Sequence, residues 1–237
     1  QLLHKAAIGF DPKQLELIPK TQVTLAAQYQ PGLFSVIELQ NFYGIELDDF
    51  AHEIAILSLW LAQHQMNQTF KGVFGTANPT LPLQPGGNIV RGNATRLNWE
   101  EVCPKKEADE IYILGNPPYL GSRIQDENQK SDLSFVFEKF TKYKDLDYIA
   151  CWFYKGSKYI QNINAKIAFV STNSICQGDQ VGLLWPSILE LNLEFDFSHL
   201  SFKWSNNAKA KAAVIVVILG LRNISSRPKY IFTKNIK

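Results

Sequence analysis

The tetrapeptide Asn116-Pro117-Pro118-Tyr119 combines groups that could bind a flat, nitrogen-bearing ring. Asn116 offers a side-chain amide oxygen, Pro117 a backbone carbonyl, and Tyr119 an aromatic face. Each proline fixes φ and lacks an N–H donor, so neither a helix nor a regular strand can run through the pair. The sequence therefore predicts a rigid loop whose acceptor groups are fixed in place.

An exocyclic amine on a planar ring suits this loop. Two converging oxygen acceptors would hold both N–H groups and favour the pyramidal nitrogen, whose lone pair can attack an electrophile. The tyrosine ring would stack on the face of the base. Acceptors fixed before the reaction need no reorganisation during it, and alignment with a methyl donor supplies the remaining requirement. An ordinary turn is the alternative interpretation of the same four residues.

The elements around the loop predict where it lies. The apolar run of residues 111–115 predicts a short buried strand, and the carboxyl ends of strands are where open α/β sheets bind ligands. Further strands are predicted at residues 42–46, 88–91, 166–171, 193–197 and 212–221. Helices are predicted at residues 48–64, 133–142, 146–161 and 182–191. Alternating strands and helices predict an α/β fold with a mostly parallel sheet, and the last two strands predict an antiparallel hairpin.

Details of these elements carry further expectations. The first helix should begin at Asp48 and Asp49 and pack on the sheet through a broad apolar face. That face is expected to run through residues 54, 57 and 61, widened by residues 56, 59 and 60. Residues 67–87 and 121–131 are expected to be loops. Pro186 should lie near the first turn of the last helix.

Composition limits the class of protein. The chain has 237 residues, of which 46% are hydrophobic, so it can bury a core of one or two domains. A formal net charge of +2 means that any nucleic-acid surface must be local. Three cysteines without metal-type spacing favour a reducing compartment and no metal site. Without an apolar stretch of membrane-spanning length or a signal peptide, a cytoplasmic location is expected.

Several blocks of the sequence resemble adenine-N6 DNA methyltransferases of the S-adenosylmethionine-dependent class I. They are most similar to the MmeI-like group of bifunctional restriction–modification enzymes, which fuse a nuclease, a methyltransferase and a DNA-recognition domain. The resemblance covers roughly residues 39–221. The blocks that carry it are residues 42–46 with the helix through 65–67, 92–94, 113–121, 169–174 and 202–208.

The resemblance implies S-adenosylmethionine as cofactor and assigns residues to it. Glu46, at the end of a strand, would hold the ribose hydroxyls, since a carboxylate accepts from two vicinal hydroxyls. A carboxylate at a helix N-terminus is the alternative interpretation of Glu46. Asn93, with its neighbour Ala94, would contact the adenine amine of the cofactor. The family usually has Asp there, and Asn keeps an acceptor but lacks the charge.

The resemblance also assigns the target base. Asn116 and Pro117 would accept from the target amine, Tyr119 would stack on the base, and Pro118 would complete the rigid loop. The segment 202–207 would pack against the flipped base from its other side. Core packing is an equal alternative for Phe202 and Trp204.

Double-stranded DNA is the expected partner. Lysines near the end of this segment would contact the DNA, and a solvated turn is the alternative for them. They are Lys203, Lys209 and Lys211. Asp147 could match a further position of the family, with a helix cap as the alternative.

One part of the family pattern is missing. These enzymes bind the methionine moiety with a glycine-rich loop upstream of the Glu46 strand, and no G-x-G occurs in this chain. The simplest hypothesis is that the chain begins after that loop and lacks the first strand. The expected fold is a Rossmann-like methyltransferase three-layer sandwich, with a gap or an altered pairing in its sheet. Residues 1–38 are of uncertain fold, 39–224 form a partial catalytic domain, and 225–237 form a linker or edge strand.

The expected function is site-specific adenine-N6 methylation of DNA within a restriction–modification enzyme. The adenine would leave the duplex, and nuclease and target-recognition domains would be linked covalently in the full-length protein. Methylation of RNA or of protein glutamine remains an alternative. A non-catalytic fragment that only binds DNA is another, and the missing cofactor loop favours it for this chain alone.

Overall fold

The computed structural model of the chain describes residues 37–75, 86–204 and 214–233. These residues divide into two compact units. The first unit consists of the described residues up to Ala94 together with Glu101–Cys103. The second consists of Thr95–Glu100 and the described residues from Pro104 onward. None of the helices in the described ranges is both long and apolar enough to span a bilayer.

The first unit contains two strands and one long helix. They are β1 (Tyr43–Glu46), α1 (Asp49–Phe74) and β2 (Asn88–Arg91). The strands pair in parallel, with Glu46 opposite Arg91. The Asp48 side chain accepts from two backbone N–H groups of the first turn, which starts α1 as predicted. The helix ends at Gly75, whose φ of 80° is readily available only to glycine. The expected end near residue 64 is therefore wrong by ten residues.

Only part of the expected apolar face of α1 packs against the chain entering β2. A Cβ atom at Gly86 would lie 2.6 Å from Ile56 Cγ2 and 2.8 Å from Trp60 Nε1, so the chain entering β2 approaches this side of the helix closely. Leu59 lies equally close to the next glycine, Gly87. By contrast, the residues expected to lead the packing are exposed, with relative accessibilities of 43%, 46% and 53% for Ile54, Leu57 and Leu61. The side of the helix with residues 56, 59 and 60 therefore packs, and the side with residues 54, 57 and 61 is exposed.

The second unit is built on a five-stranded sheet of order β3-β4-β6-β5-β7. Its strands are β3 (Ile111–Gly115), β4 (Ala165–Thr172), β5 (Leu193–Trp204), β6 (Val214–Asn223) and β7 (Tyr230–Phe232). Strands β3 and β4 are parallel, as are β5 and β7, whereas β6 runs antiparallel to both its neighbours. The β5–β6 pair confirms the predicted C-terminal hairpin. The strands of the described residues thus form two separate sheets, and no described strand precedes β1.

The short helix α2 (Trp99–Val102) includes residues of both units. The second unit also contains α3 (Glu127–Val136), α4 (Ala150–Ile160) and α5 (Asp179–Leu189), of which α4 and α5 contact the sheet. The Phe153 ring of α4 lies 5.3 Å from both Phe169 and Trp185, and Trp185 lies 4.9 Å from Phe195. Burial of such aromatic rings supplies much of the packing energy of a core.

Two helices differ from their predicted form, one in where it begins and the other in the place of its proline. The helix α3 starts at Glu127, six residues before the predicted start, because Asp126 and Gln129 form a capping box there. Pro186 lies inside α5 rather than near its first turn, which corrects that expectation. The proline leaves one helical hydrogen bond unmade, the one that an N–H at position 186 would donate to the carbonyl of Gly182.

The predicted burial of β3 is also wrong. The strand lies at the end of the strand order, where Tyr112 is 60% and Leu114 79% exposed. Alternate residues of β3 are half-buried and exposed, so the apolar run covers two different faces of the strand. Near the amino end of β4 lies an ion-pair cluster, in which Arg222 pairs with both Glu194 and Asp196, and Lys166 pairs with Asp196.

Candidate active site

The loop of residues 116–119 follows β3 directly and lies at the carboxyl end of that strand. Asn116 and Pro118 are exposed, Tyr119 is half-buried, and Pro117 is buried. Within the described part of the chain, the Asn116 amide makes no hydrogen bond. The last paired residue of β3 is Gly115, opposite Phe169, so the carbonyl of Pro117 lies beyond the ladder of the sheet. The loop therefore presents acceptor groups that the described structure does not use.

The far end of the loop is fixed at Leu120. Its N–H donates to Asp147 Oδ1 at 2.9 Å. Its carbonyl accepts from the Tyr148 N–H at 3.0 Å and from Gln125 Nε2 at 2.8 Å. Gln125 also donates to the Leu146 carbonyl at 3.0 Å. Both polar backbone groups of Leu120 are thus held by residues distant in sequence, Asp147 on the N–H and Tyr148 on the carbonyl.

Asp147 makes several contacts besides the one to Leu120. Its Oδ1 accepts from the Ile149 N–H at 3.2 Å, just before α4 begins. Its Oδ2 lies 3.5 Å from the Ser174 hydroxyl, which donates to it. Its own N–H donates to Gln180 Oε1 at 2.9 Å. The helix-cap interpretation of Asp147 therefore describes only part of what this side chain contacts.

The end of β4 lies beside this loop, because β3 and β4 are parallel neighbours. A short 3-10 helix, Asn173–Cys176, follows β4. Asn173 Oδ1 accepts from the Ser201 hydroxyl at 2.9 Å, which ties the end of β4 to β5. Thr172 and Phe202 both pair with Val216 of β6. The blocks around residues 116, 173 and 202 therefore lie at the same end of one sheet.

The residues expected to face the target base are described in part. Phe202 is half-buried, and its ring lies 4.9 Å from that of His199 at an interplanar angle of 70°. Lys203 is exposed. Trp204 is the last residue of β5, and its side chain lies outside what the structure describes. Lys209 and Lys211 lie outside the described residues.

The residues expected to bind the cofactor belong to the first unit. Glu46 is the last residue of β1, and Asn93 and Ala94 follow β2, so all three lie at the carboxyl ends of two parallel neighbours. All three are half-buried. The Glu46 carboxylate has no hydrogen bond or ion pair to any described residue. Asp48 caps α1, and Asp49 pairs with Arg91 at 2.6 Å, so the helix terminus does not need Glu46. A free carboxylate at this place fits a ligand that brings vicinal hydroxyls.

Side chains of the second unit also hold the backbone of residues 95–97, a contact that the sequence did not predict. Lys155 Nζ donates to the carbonyls of Thr95 and Leu97 at 2.8 and 2.6 Å. Burial lowers the pKa of Lys155 to about 8. Arg96 donates to Asp132 at 2.6 Å. The signal was present in the sequence, because position 155 lies one turn from the buried positions 151 and 159 on α4.

The described ranges contain no group of three or more His, Cys, Asp or Glu side chains arranged to hold a metal ion. Cys151 is fully buried, and burial raises the pKa of its thiol well above the usual range. A thiol in that environment is neutral and unreactive. The polar groups at the end of the sheet therefore form the better candidate site.

A family model described as "MmeI, DNA-methyltransferase domain" matches residues 13–233. "DNA methyltransferase A" of Bacillus subtilis (strain 168) is 50% identical to the chain over 203 residues, which cover 85% of the chain and 23% of that protein. The chain therefore spans less than a quarter of the length of this relative.

A solved structure agrees with the sequence comparisons. The Type IIL restriction-modification enzyme MmeI, solved in complex with DNA, superposes with a TM-score of 0.78 at 38% identity. The match covers 91% of this chain and 30% of the MmeI chain. Together with the two sheets and their helices, it confirms the predicted α/β fold of the Rossmann-like methyltransferase type.

Proposed function

The chain belongs to the family described as MmeI, DNA-methyltransferase domain, and we propose that it supplies the methyl-transfer site of a DNA restriction–modification enzyme. The methyl acceptor in this proposal is the exocyclic amine of adenine, and the methyl donor is S-adenosylmethionine. The observation that carries the proposal is the exposed, unpaired Asn116 amide at the carboxyl end of β3, followed at once by a carbonyl outside the ladder.

The loop of residues 116–119 would hold the adenine for attack. Asn116 Oδ1 and the Pro117 carbonyl would accept one N–H each from the amine, which favours a pyramidal nitrogen with a free lone pair. The half-buried ring of Tyr119 would stack on the base. The sulfonium cofactor, when bound, would supply an electrophilic methyl group, with a neutral thioether as the leaving group and the proton of the amine passing to solvent.

Glu46, Asn93 and Ala94 would hold this cofactor. The unpaired Glu46 carboxylate accepts from the ribose hydroxyls, and the Asn93 side chain accepts from the adenine amine of the cofactor. Glu46 ends β1 and Asn93 follows the end of β2, so both lie at the carboxyl ends of two parallel neighbouring strands. The methionine moiety would be bound by a glycine-rich loop of the kind that the family uses.

DNA binding would require the target adenine to leave the duplex, which costs a few kcal/mol. Phe202 and Trp204 would meet the flipped base opposite Tyr119, and the exposed Lys203 would contact phosphate together with Lys209 and Lys211. In this proposal residues 39–224 form the methyltransferase part. Nuclease and target-recognition domains belong to the same full-length polypeptide.

A methyl-transfer assay with the full-length protein tests this function. The substrates are duplex DNA, RNA and a glutamine-containing peptide, each with S-adenosylmethionine that carries a labelled methyl group. Mass spectrometry of the digested DNA should identify N6-methyldeoxyadenosine. Label in RNA or peptide but not in DNA would favour the alternative substrates, and DNA binding without transfer would favour a non-catalytic protein.

Asn116→Ala provides the residue-level test. It should lower the transfer rate about 100- to 1,000-fold, the range seen when one preorganised hydrogen-bonding group is removed from an active site. Asn128→Ala is the matched control, because Asn128 is an exposed asparagine on α3. Equal activity of the Asn116→Ala variant and the wild type would contradict the assigned role.

A further inference from the structure

We propose that Asp147 is a positioning residue that sets the place of the 116–119 loop through Leu120; this inference rests on the proposed function. The Asp147 side chain is buried, with 4% relative accessibility for the residue. Its Oδ1 accepts the Leu120 N–H at 2.9 Å, one residue after Tyr119. The bond joins positions 27 residues apart in the sequence, so it is a tertiary contact and not part of a local turn.

The surroundings of Asp147 show what its side-chain oxygens hold. Three donors reach it: the N–H groups of Leu120 and Ile149 and the hydroxyl of Ser174. Among the described residues no lysine, arginine or histidine forms an ion pair with it. Its side-chain oxygens are therefore held by backbone N–H groups and one hydroxyl, and the Ile149 N–H lies at the start of α4. Leaving those buried donors without an acceptor would cost about 1–3 kcal/mol each.

The loop transmits the position of Leu120 to the acceptor groups. Pro117 and Pro118 have fixed φ angles, so few free torsions separate Leu120 from Asn116. Leu120 is held on its carbonyl side as well, by Tyr148 and Gln125. A shift of Leu120 would consequently move Asn116 and Tyr119 instead of being absorbed along the way. A displacement of about 1 Å at a reacting group can lower a rate about 100-fold.

Asp147 also connects this loop to the neighbouring strand. Ser174, which donates to Asp147 Oδ2, lies 2.5 Å from the Thr172 hydroxyl at the end of β4. The adjacent residue Asn173 accepts from Ser201 of β5, the residue before Phe202. One buried carboxylate thus lies between the groups proposed to hold the amine and the segment proposed to face the base from its other side.

Two variants of Asp147 separate positioning from a general structural role. Asp147→Ala removes the acceptor of Leu120, whereas Asp147→Asn keeps one acceptor oxygen at the same place. In the full-length protein, Asp147→Ala should lower kcat for methyl transfer about 100-fold and change KM for S-adenosylmethionine less than about 3-fold. Asp147→Asn should recover most of that loss, to within about 10-fold of the wild type.

Asp196→Ala is the matched control. Asp196 is a buried carboxylate of the same sheet, but it lies near the amino end of β4, away from the loop. Its removal should lower Tm at least as much as Asp147→Ala does and leave kcat unchanged. If kcat instead follows Tm in both variants, or if Asp147→Ala retains wild-type kcat, the positioning role is overturned.

Hydrogen exchange distinguishes a failure of this inference from a failure of the proposed function. Mass spectrometry of peptides covering residues 116–121 should show faster exchange in Asp147→Ala, but not in Asp147→Asn or Asp196→Ala. Faster exchange in a protein whose wild type transfers no methyl group would uphold the anchoring and reject the proposed function. Unchanged exchange in Asp147→Ala would reject the anchoring, whatever the activity.

Discussion

Arg222 Nε donates to Glu194 Oε1 at 2.9 Å, and both side chains are almost entirely buried between β5 and β6. The Arg222 guanidinium also reaches Asp196 Oδ1 at 2.5 Å and the carbonyls of Arg227 and Pro228. Lys229 Nζ lies 2.9 Å from Glu194 Oε2. Because these partners come from β5, β6 and the segment before β7, the pair fastens that segment to the sheet at the end opposite the candidate site.

Acid should act on the protein through Glu194. The hydrogen bond from Lys229 and those from Arg222 lower the pKa of Glu194 from 4.5 to about 2, against an opposing effect of burial. Since the folded-state pKa is depressed, the stabilisation is complete above pH 4.5 and is lost as the pH falls from 4.5 toward 2. Urea unfolding of the wild type at pH 7, 5, 4 and 3 should show this loss.

The variant Glu194→Gln should show a weaker dependence on pH over that window. At pH 7 it should already have lost about 1–3 kcal/mol of unfolding free energy, because it weakens buried hydrogen bonds to charged groups. The exposed Glu190 supplies the control variant Glu190→Gln, which should follow the wild type. A slope for Glu194→Gln as steep as that of the wild type would show that other groups cause the acid sensitivity.

Two glycines should respond in opposite directions to alanine. A Cβ atom at Gly220 of β6 would collide with the ring of Phe197, whereas one at Gly182 of α5 would meet nothing within 4 Å. Gly220→Ala should cost about 1–3 kcal/mol, the usual range for overpacking. Gly182→Ala should stabilise the helix by about 0.5–1 kcal/mol. Thermal or urea unfolding measures both.

The background variant Phe197→Leu checks the cause at Gly220. If the ring is the obstacle, Gly220→Ala should cost clearly less in that background, and a double-mutant cycle gives the difference. Equal costs in both backgrounds would place the strain in the backbone of β6 instead.

Glu46 should affect cofactor binding without affecting the fold. Since its carboxylate has no partner among the described residues, Glu46→Ala should change Tm by less than a few degrees. The same change should weaken binding of S-adenosylmethionine by the full-length protein about 10- to 100-fold, the loss expected for one or two hydrogen bonds to a charged acceptor. Calorimetric titration measures it. Glu53→Ala, on the exposed side of α1, is the control, and identical affinities for both variants would remove Glu46 from the site.

Local signals were sufficient to predict the strands that carry the site. The bounds of β2 and β3 follow from apolar runs that end at or just before a glycine, and the place of residue 116 follows from them. The capping box of Asp126 and Gln129 is equally visible in the sequence, although the polar composition of that segment predicts a loop. The predicted end of α1 is too early, since Gly72 lies within the helix and Gly75 ends it. The two glycines differ in backbone conformation, which the sequence does not show.

Contacts between residues far apart in the chain could not be predicted from the sequence. Both stripes of α1 are apolar, and the choice between them depends on the close approach of Gly86 and Gly87 to one of them. The role of Asp147 is similar, because a helix cap explains its type and only the folded chain brings Leu120 to it. The 116–119 motif and the family resemblance indicated the candidate residues, whereas only the folded chain shows what holds them.

The unequal lengths of β3 and β4 shape the surroundings of the acceptor loop. Strand β3 stops opposite Phe169, while β4 continues three residues further, to Thr172. At about 3.3 Å per residue, the carboxyl ends of the two strands are offset by about 10 Å along the strand direction. The loop of residues 116–119 therefore leaves the sheet beside β4, three residues before β4 itself ends.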